Sequence, residues 1–123
     1  MQLDTTSSKP IFQQIAEFIE DMILNDEIED QVYSTNQLSK LFTINPATAR
    51  KGLTLLLDQN IIYKKRGIGM FVSEGAKTII LEKRQGIFFD QYIHTMMSEA
   101  KKIGLDKKEI IEFINNYKGG QHD

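Results

Sequence analysis

One segment of the chain, residues 34–72, carries a pattern that few folds accommodate. Two short stretches with apolar residues at three- and four-residue spacing stand close together, and two apolar triplets around a basic, glycine-containing hexapeptide follow them. The first pattern indicates two amphipathic helices joined by a tight turn, and the second indicates a two-stranded hairpin. The sequence therefore predicts a winged helix-turn-helix, which is a mainly α fold with a small β-wing.

Capping residues mark the ends of the two helices. Ser34 and Gln37 have the spacing of a capping box, in which each side chain bonds to the other residue's backbone. After a turn at residues 43–44, Asn45 suits the N-cap of the second helix and Pro46 suits its first position, where no backbone N–H is needed. The second helix is expected to end near Asp58.

The apolar positions predict which side of each helix is buried. In the first helix they are Leu38, Leu41 and Phe42. In the second helix they are Ala49, Leu53, Leu56 and Leu57. Gly52 lowers the stability of the second helix, and its presence there predicts that another backbone approaches closely.

The hairpin is predicted to pair residues 61–63 with residues 70–72. Its tip carries three consecutive cations, and Gly67 and Gly69 are expected to form the turn. A phosphate-binding loop would need the start of a helix after these glycines, but a strand follows here. The glycines are therefore interpreted as turn residues, and the wing is predicted to contact phosphates through its cations instead.

A further helix is predicted before this segment, beginning at Ser8 or Lys9 with Pro10 in its first turn. Its expected buried stripe consists of Phe12, Ile15, Ile19, Met22 and Ile23. The acidic residues expected to face water are Glu17, Glu20 and Asp21. Residues 25–31 are interpreted as a polar, acidic break.

The distribution of charge is more informative than the net charge of −2. Residues 1–30 hold eight acids and one cation, whereas residues 31–73 hold six cations and one acid. The net charge of this second segment is +5, and five of its six cations fall on the second predicted helix and the wing. A local positive field steers a protein onto a polyanion, so this segment is predicted to bind nucleic acid.

The end of the chain is predicted to form two helices. The first spans residues 78–103 and ends at Gly104, and the second begins with the capping pair Asp106 and Glu109. A tail of about fifty residues is too small for a core of its own. Its apolar side is therefore expected to dimerise, although packing on the chain's own first helix is an alternative. The residues predicted for dimerisation are Phe88, Phe89, Tyr92, Ile93, Met96, Met97, Ala100, Ile110, Phe113 and Ile114.

These elements predict a DNA-binding domain over residues 1–73 and a helical dimerisation tail over residues 74–123. Several classes of protein are disfavoured. The chain has no cysteine and no apolar run of the roughly 20 residues that span a bilayer, which predicts a cytoplasmic protein without membrane contact. His94 and His122 have no second ligand at metal spacing, and no catalytic grouping of side chains is present. Neither a metal, a cofactor nor an enzymatic activity is expected.

Three motifs resemble the DNA-binding domain of the GntR family of bacterial transcription regulators. They are residues 9–15 (KPIFQQI), residues 34–38 (STNQL) and residues 66–72 (RGIGMFV), and the resemblance covers residues 3–73. The short tail and the sequence Asn-Pro-Ala-Thr at 45–48 are similar to the YtrA subfamily. The resemblance implies a dimeric repressor that binds an operator in double-stranded DNA. Many such proteins regulate transporter operons, often together with their own gene.

The candidate DNA-binding residues come from both lines of reasoning. The cations and the start of the second helix follow from the winged-helix pattern, and roles for Ser34 and Gly67 are implied by the resemblance. Two departures from the family stand out, since Asn36 stands where arginine is frequent and Pro46 stands where arginine or serine is found. The full set is Ser34, Asn36, Asn45, Pro46, Ala47, Thr48, Arg50, Lys51, Lys64, Lys65, Arg66 and Gly67.

Two alternatives stay open at the level of the sequence. The basic face of a winged helix can also dock an acidic protein, which would make this a protein-interaction module. The aromatic and methionine side chains of the tail can also line an effector pocket, although such a stripe is more typical of a core or a dimer contact. A small-molecule effector is not indicated by the sequence.

Overall fold

The computed structural model describes residues 2–119 and confirms a mainly helical fold with a two-stranded wing. The helices of the first half are α1 (Ile11–Leu24), α2 (Thr35–Phe42) and α3 (Pro46–Asp58). The wing consists of β1 (Ile62–Lys65) and β2 (Gly69–Val72). The second half contains α4 (Ala76–Phe88), a π-helical turn (Phe89–Ile93), α5 (His94–Lys102) and α6 (Lys107–Asn116).

The predicted caps are confirmed atom by atom. The Gln37 backbone N–H donates to Ser34 Oγ at 3.1 Å, and the Ser34 N–H donates to Gln37 Oε1 at 2.8 Å. Asn45 Oδ1 accepts a hydrogen bond from the Ala47 N–H at 2.7 Å, and Pro46 is the first residue of α3. The same reciprocal pattern starts α6, between Asp106 and Glu109. These bonds satisfy N–H groups that the first turn of a helix leaves without partners.

The core of the first half lies where α1 and α2 pack against α3. Its fully buried side chains include Ile15, Ile19, Leu38, Leu53 and Leu56. The predicted close approach at Gly52 is also confirmed. A Cβ atom at this position would lie 2.9 Å from the carbonyl oxygen of Phe12, so only glycine lets α1 and α3 approach this closely.

Three expectations about the helices are wrong in detail. Pro10 is the N-cap of α1 and lies outside its first turn. Glu20 is only 1% exposed, because the buried side of α1 includes Ala16 and Glu20, which lie four residues apart on one face. Leu41 is 54% exposed, because α2 turns Phe42 inward to make an edge-on contact with Phe18.

The wing contains more than the predicted hairpin. Residues 62–65 pair antiparallel with residues 69–72, and Gly67 and Gly69 have the positive φ values expected of a turn. Residues 30–32 also pair with β2 and form a short third segment of the sheet. The sequence pattern indicates only the end of a polar break and the approach to α2 there. The Val32 N–H donates to the Met70 carbonyl at 2.8 Å, and the Val72 N–H donates to the Asp30 carbonyl at 2.8 Å.

The chain forms two compact units, of which the first ends at Glu82 and the second begins at Lys83. The first turns of α4 belong to the first unit, where Ala76 and Ile80 join the core. The predicted helix over residues 78–103 is interrupted by the π-helical turn and ends at Lys102, with Ile103 as its C-cap and Gly104 at φ +79° after that. Within residues 2–119, no helix is long and apolar enough to cross a membrane.

Candidate nucleic-acid interface

An open cleft of about 370 Å³ lies between the start of α2, the middle of α3 and the wing. The polar side chains that line it include Ser34, Asn36, Arg50 and Lys64, and none of the described residues around it is acidic. Arg50 and Lys64 lie on different elements, so the tertiary fold brings two cations to one hollow. This arrangement suits an anionic ligand that is long enough to contact α3 and the wing together.

The start of α3 is exposed, and in the sequence it comes shortly before Arg50, which lines the cleft. Asn45, Pro46 and Ala47 are exposed and Thr48 is half-buried, whereas Ala49 faces the core. The first turn therefore offers small side chains to the solvent while the rest of the helix is anchored. A helix with this division can lie deep in a groove without steric obstruction from its own side chains.

The three cations of the wing do not point the same way. Successive residues of a strand face opposite sides, so Lys64 lies on the side of the cleft and Lys65 on the other side with Tyr63. The Lys65 ammonium lies 4.4 Å from the centre of the Phe71 ring and 6.0 Å from that of Tyr63. Arg66 and Gly67 form the exposed tip of the hairpin.

The predicted DNA-binding residues thus divide into groups. Eleven of the twelve are exposed and Thr48 is half-buried. Four of them line the cleft, four form the start of α3 and two form the wing tip, while Lys51 and Lys65 each lie over an aromatic ring. Sequence reasoning missed Gln31 and Ile68, which also line the cleft. Their signal was weak because neither residue belongs to a helix pattern or carries a charge.

The second unit exposes an unusual amount of apolar surface. Of the thirteen large hydrophobic residues that are exposed in the described chain, nine lie between residues 87 and 117. Five residues predicted for dimerisation are among them: Phe88, Phe89, Tyr92, Phe113 and Ile114. Ile93, Met96 and Met97 are half-buried. Ala100 and Ile110 are buried within the chain, so they pack the tail itself and offer no surface.

The described part of the tail contains a hollow that lies away from its exposed aromatic residues. Its hollow of about 360 Å³ lies at the turn between α5 and α6, lined by Met97, Leu105 and charged residues. His94 is exposed, and His122 lies outside the described residues. No group of three potential metal-ligating side chains occurs within residues 2–119.

Comparisons with known proteins agree with this architecture, although no family model matches the chain. The HTH-type transcriptional repressor YtrA of Bacillus subtilis is 28% identical over 127 residues, which cover 98% of this chain and 97% of that protein. A structure from Bacteroides thetaiotaomicron, assigned to the GntR family of transcriptional regulators, is 31% identical with a TM-score of 0.73. It covers 85% of this chain and 93% of that one.

A third comparison concerns the first half of the chain. The DNA-binding domain of AraR in complex with the operator ORE1 is 27% identical, with a TM-score of 0.52. The match covers 59% of this chain and 94% of that domain. The chain described here therefore belongs to the GntR family, whose members are DNA-binding transcriptional regulators and not enzymes.

Proposed function

We propose that this protein is a sequence-specific transcriptional repressor that binds an operator in double-stranded DNA as a homodimer. In this proposal residues 1–73 bind DNA and residues 74–123 form the dimerisation tail. Helix α3 enters the major groove with its first turn, while the wing tip contacts the flanking phosphate backbone. This is the docking geometry by which winged and other helix-turn-helix domains read base edges.

The observation that carries the proposal is the shared cleft of Arg50 and Lys64. One cation extends from the recognition helix and the other from the wing, and both are exposed beside the uncharged start of α2. Arginine bonds to guanine with two hydrogen bonds in the major groove, and lysine binds phosphate as a point charge. The net charge of +5 over residues 31–73 supports the same ligand.

The apolar surface of the tail supports the homodimer. Large exposed apolar patches mark interaction sites, and a monomer rarely leaves nine large hydrophobic side chains open to water in so short a segment. Two copies place two recognition helices on one duplex. Simultaneous binding of two half-sites raises the overall affinity well above that of one.

The repressor role is supported by the relative YtrA, which is named as a transcriptional repressor. The operator as ligand is supported by the AraR domain, whose structure contains operator DNA. By family analogy the regulated operon encodes a transporter and includes the protein's own gene.

The deciding experiment is selection of bound duplexes from a random DNA pool with the full-length protein. We expect enriched sequences with two-fold symmetry and half-sites about one helical turn apart, or a multiple of that distance. Affinity for the winner should fall steeply with salt concentration. A pool that shows no enrichment would contradict the proposal and would favour the alternative of a module that docks an acidic protein.

A further inference from the structure

The side chain of Gln31 connects the short third segment of the sheet, residues 30–32, to the tip of the wing. Gln31 Nε2 donates a hydrogen bond to the carbonyl oxygen of Ile68 at 3.2 Å. The contact spans 37 positions in the sequence. The backbone of Gln31 is held in place independently, because it forms a bridge with Phe71 and its neighbours bond to β2. The amide thus extends from a backbone segment that is fixed by pairing with β2, and it bonds to the wing tip, which projects into solvent.

The wing tip has little other support. Each strand is four residues long, and within the turn the Ile68 N–H donates to the Lys65 carbonyl at 3.0 Å. The side chain of Ile68 is 64% exposed, so it contributes little packing. A two-stranded hairpin of this length is marginal in water by itself. The bond from Gln31 therefore restricts the direction in which the tip projects.

Gly69 lies directly beside this amide. A Cβ atom at Gly69 would lie 2.6 Å from Gln31 Nε2, and its φ of +142° is in the region that favours glycine. Both the conformation and the space at position 69 thus favour a residue without a side chain. Gly69 is therefore more than a turn residue, since its absent side chain also leaves room for Gln31.

We propose that Gln31 is a positioning residue for DNA binding. It holds the carbonyl of Ile68 and thereby fixes Arg66 at the wing tip relative to the cleft that contains Arg50. The phosphate backbone beside the operator is the ligand that this geometry serves. The inference rests on the proposed function and deepens it, since Gln31 acts through the wing and carries no charge itself.

The test uses Gln31→Met, which keeps the length of the side chain and removes the donor. Gln85→Met, at an exposed glutamine on α4, is the matched control. We expect Gln31→Met to weaken operator binding by roughly three- to tenfold, in line with the loss of one hydrogen bond. The slope of log K against log salt should become shallower, because the tip cation spends less time on its phosphate. The melting temperature should stay close to that of the control.

A double-mutant cycle with Arg66→Ala separates positioning from direct contact. If Gln31 acts through the tip, Gln31→Met should have almost no further effect in the Arg66→Ala background. Backbone amide order parameters at residues 67–69 should also fall in Gln31→Met without DNA. Additive losses, or an unchanged salt slope, would overturn the role of Gln31 while the proposed function stands. A wild-type protein that binds no duplex would overturn both.

Discussion

The ammonium of Lys51 lies 4.3 Å from the centre of the Phe12 ring, so helix α3 directs two adjacent cations to different places. Arg50 lines the cleft beside the wing, and Lys51 covers an aromatic ring at the start of α1. An exposed cation–π contact is worth about 0.5–1 kcal/mol. A lysine held in this way gives up part of that energy if it leaves the ring for a phosphate.

Arg50 is expected to be the most important side chain for operator affinity. We expect Arg50→Ala to cost about 1–3 kcal/mol in specific binding, because a bidentate contact to a base edge would be lost. The measurement is a titration with the selected operator, alongside Lys108→Ala on α6 as a control for removal of one positive charge. Equal affinities for the two variants would contradict the role of Arg50.

Lys51 is expected to matter less than its neighbour. Because its ammonium already has a favourable contact with Phe12, Lys51→Ala should cost well below the loss seen for Arg50→Ala and should lower specific and non-specific binding alike. Titrations with operator and with an unrelated duplex measure both effects. A selective loss for the operator would show instead that Lys51 reads bases.

Within the wing, the salt dependence should distinguish Lys64 from Lys65. Lys64→Ala removes a cation of the cleft, so the slope of log K against log salt should fall by about 0.9. Lys65→Ala removes a cation that lies over Phe71, and its slope should change less. Binding measured between about 50 and 200 mM salt is sufficient to determine these slopes, because counterion release changes the affinity strongly over that range. A larger change in slope for Lys65→Ala than for Lys64→Ala would contradict this assignment of the two cations.

Two helical glycines should respond in opposite directions to alanine. Gly52→Ala places a methyl group 2.9 Å from the Phe12 carbonyl, and the resulting overpacking should lower the free energy of unfolding by about 1–3 kcal/mol. Gly86 in α4 has nothing within 4 Å of its Cβ position. Gly86→Ala should raise the free energy of unfolding by about 0.5–1 kcal/mol, because alanine favours the helix. Chemical denaturation of both variants tests the pair.

The dimer should depend on the exposed aromatic residues of the tail. The double variant Phe89→Asp with Phe113→Asp places charges on the apolar surface, where an interface would have to desolvate them. We expect a monomer in analytical ultracentrifugation and a loss of cooperative operator binding. Gln85→Asp with Asn116→Asp adds the same two negative charges at exposed polar sites and serves as the control. A wild-type protein that is monomeric at micromolar concentration would rule out the homodimer.

Elements that depend only on neighbouring residues were predictable from the amino-acid sequence. Caps and turns are local signals, because each is decided within four residues. They include the capping pairs at Ser34 and Asp106, Pro46 at the start of α3 and the hairpin glycines. The spacing of apolar residues gave the helices of the winged domain. The resemblance to the GntR family rested on motifs in the same segments and is confirmed by the comparisons.

Features that depend on residues far apart in the chain became visible only in the folded structure. Burial of Glu20 and exposure of Leu41 follow from how α1 and α2 are rotated against their neighbours, which helical periodicity does not fix to within one residue. The contact of Lys51 with Phe12, which separates Lys51 from Arg50, and the bond from Gln31 to Ile68 both join residues at least 37 positions apart. A pattern of residue types records which face is apolar, whereas the contact of a particular side chain depends on packing against another element.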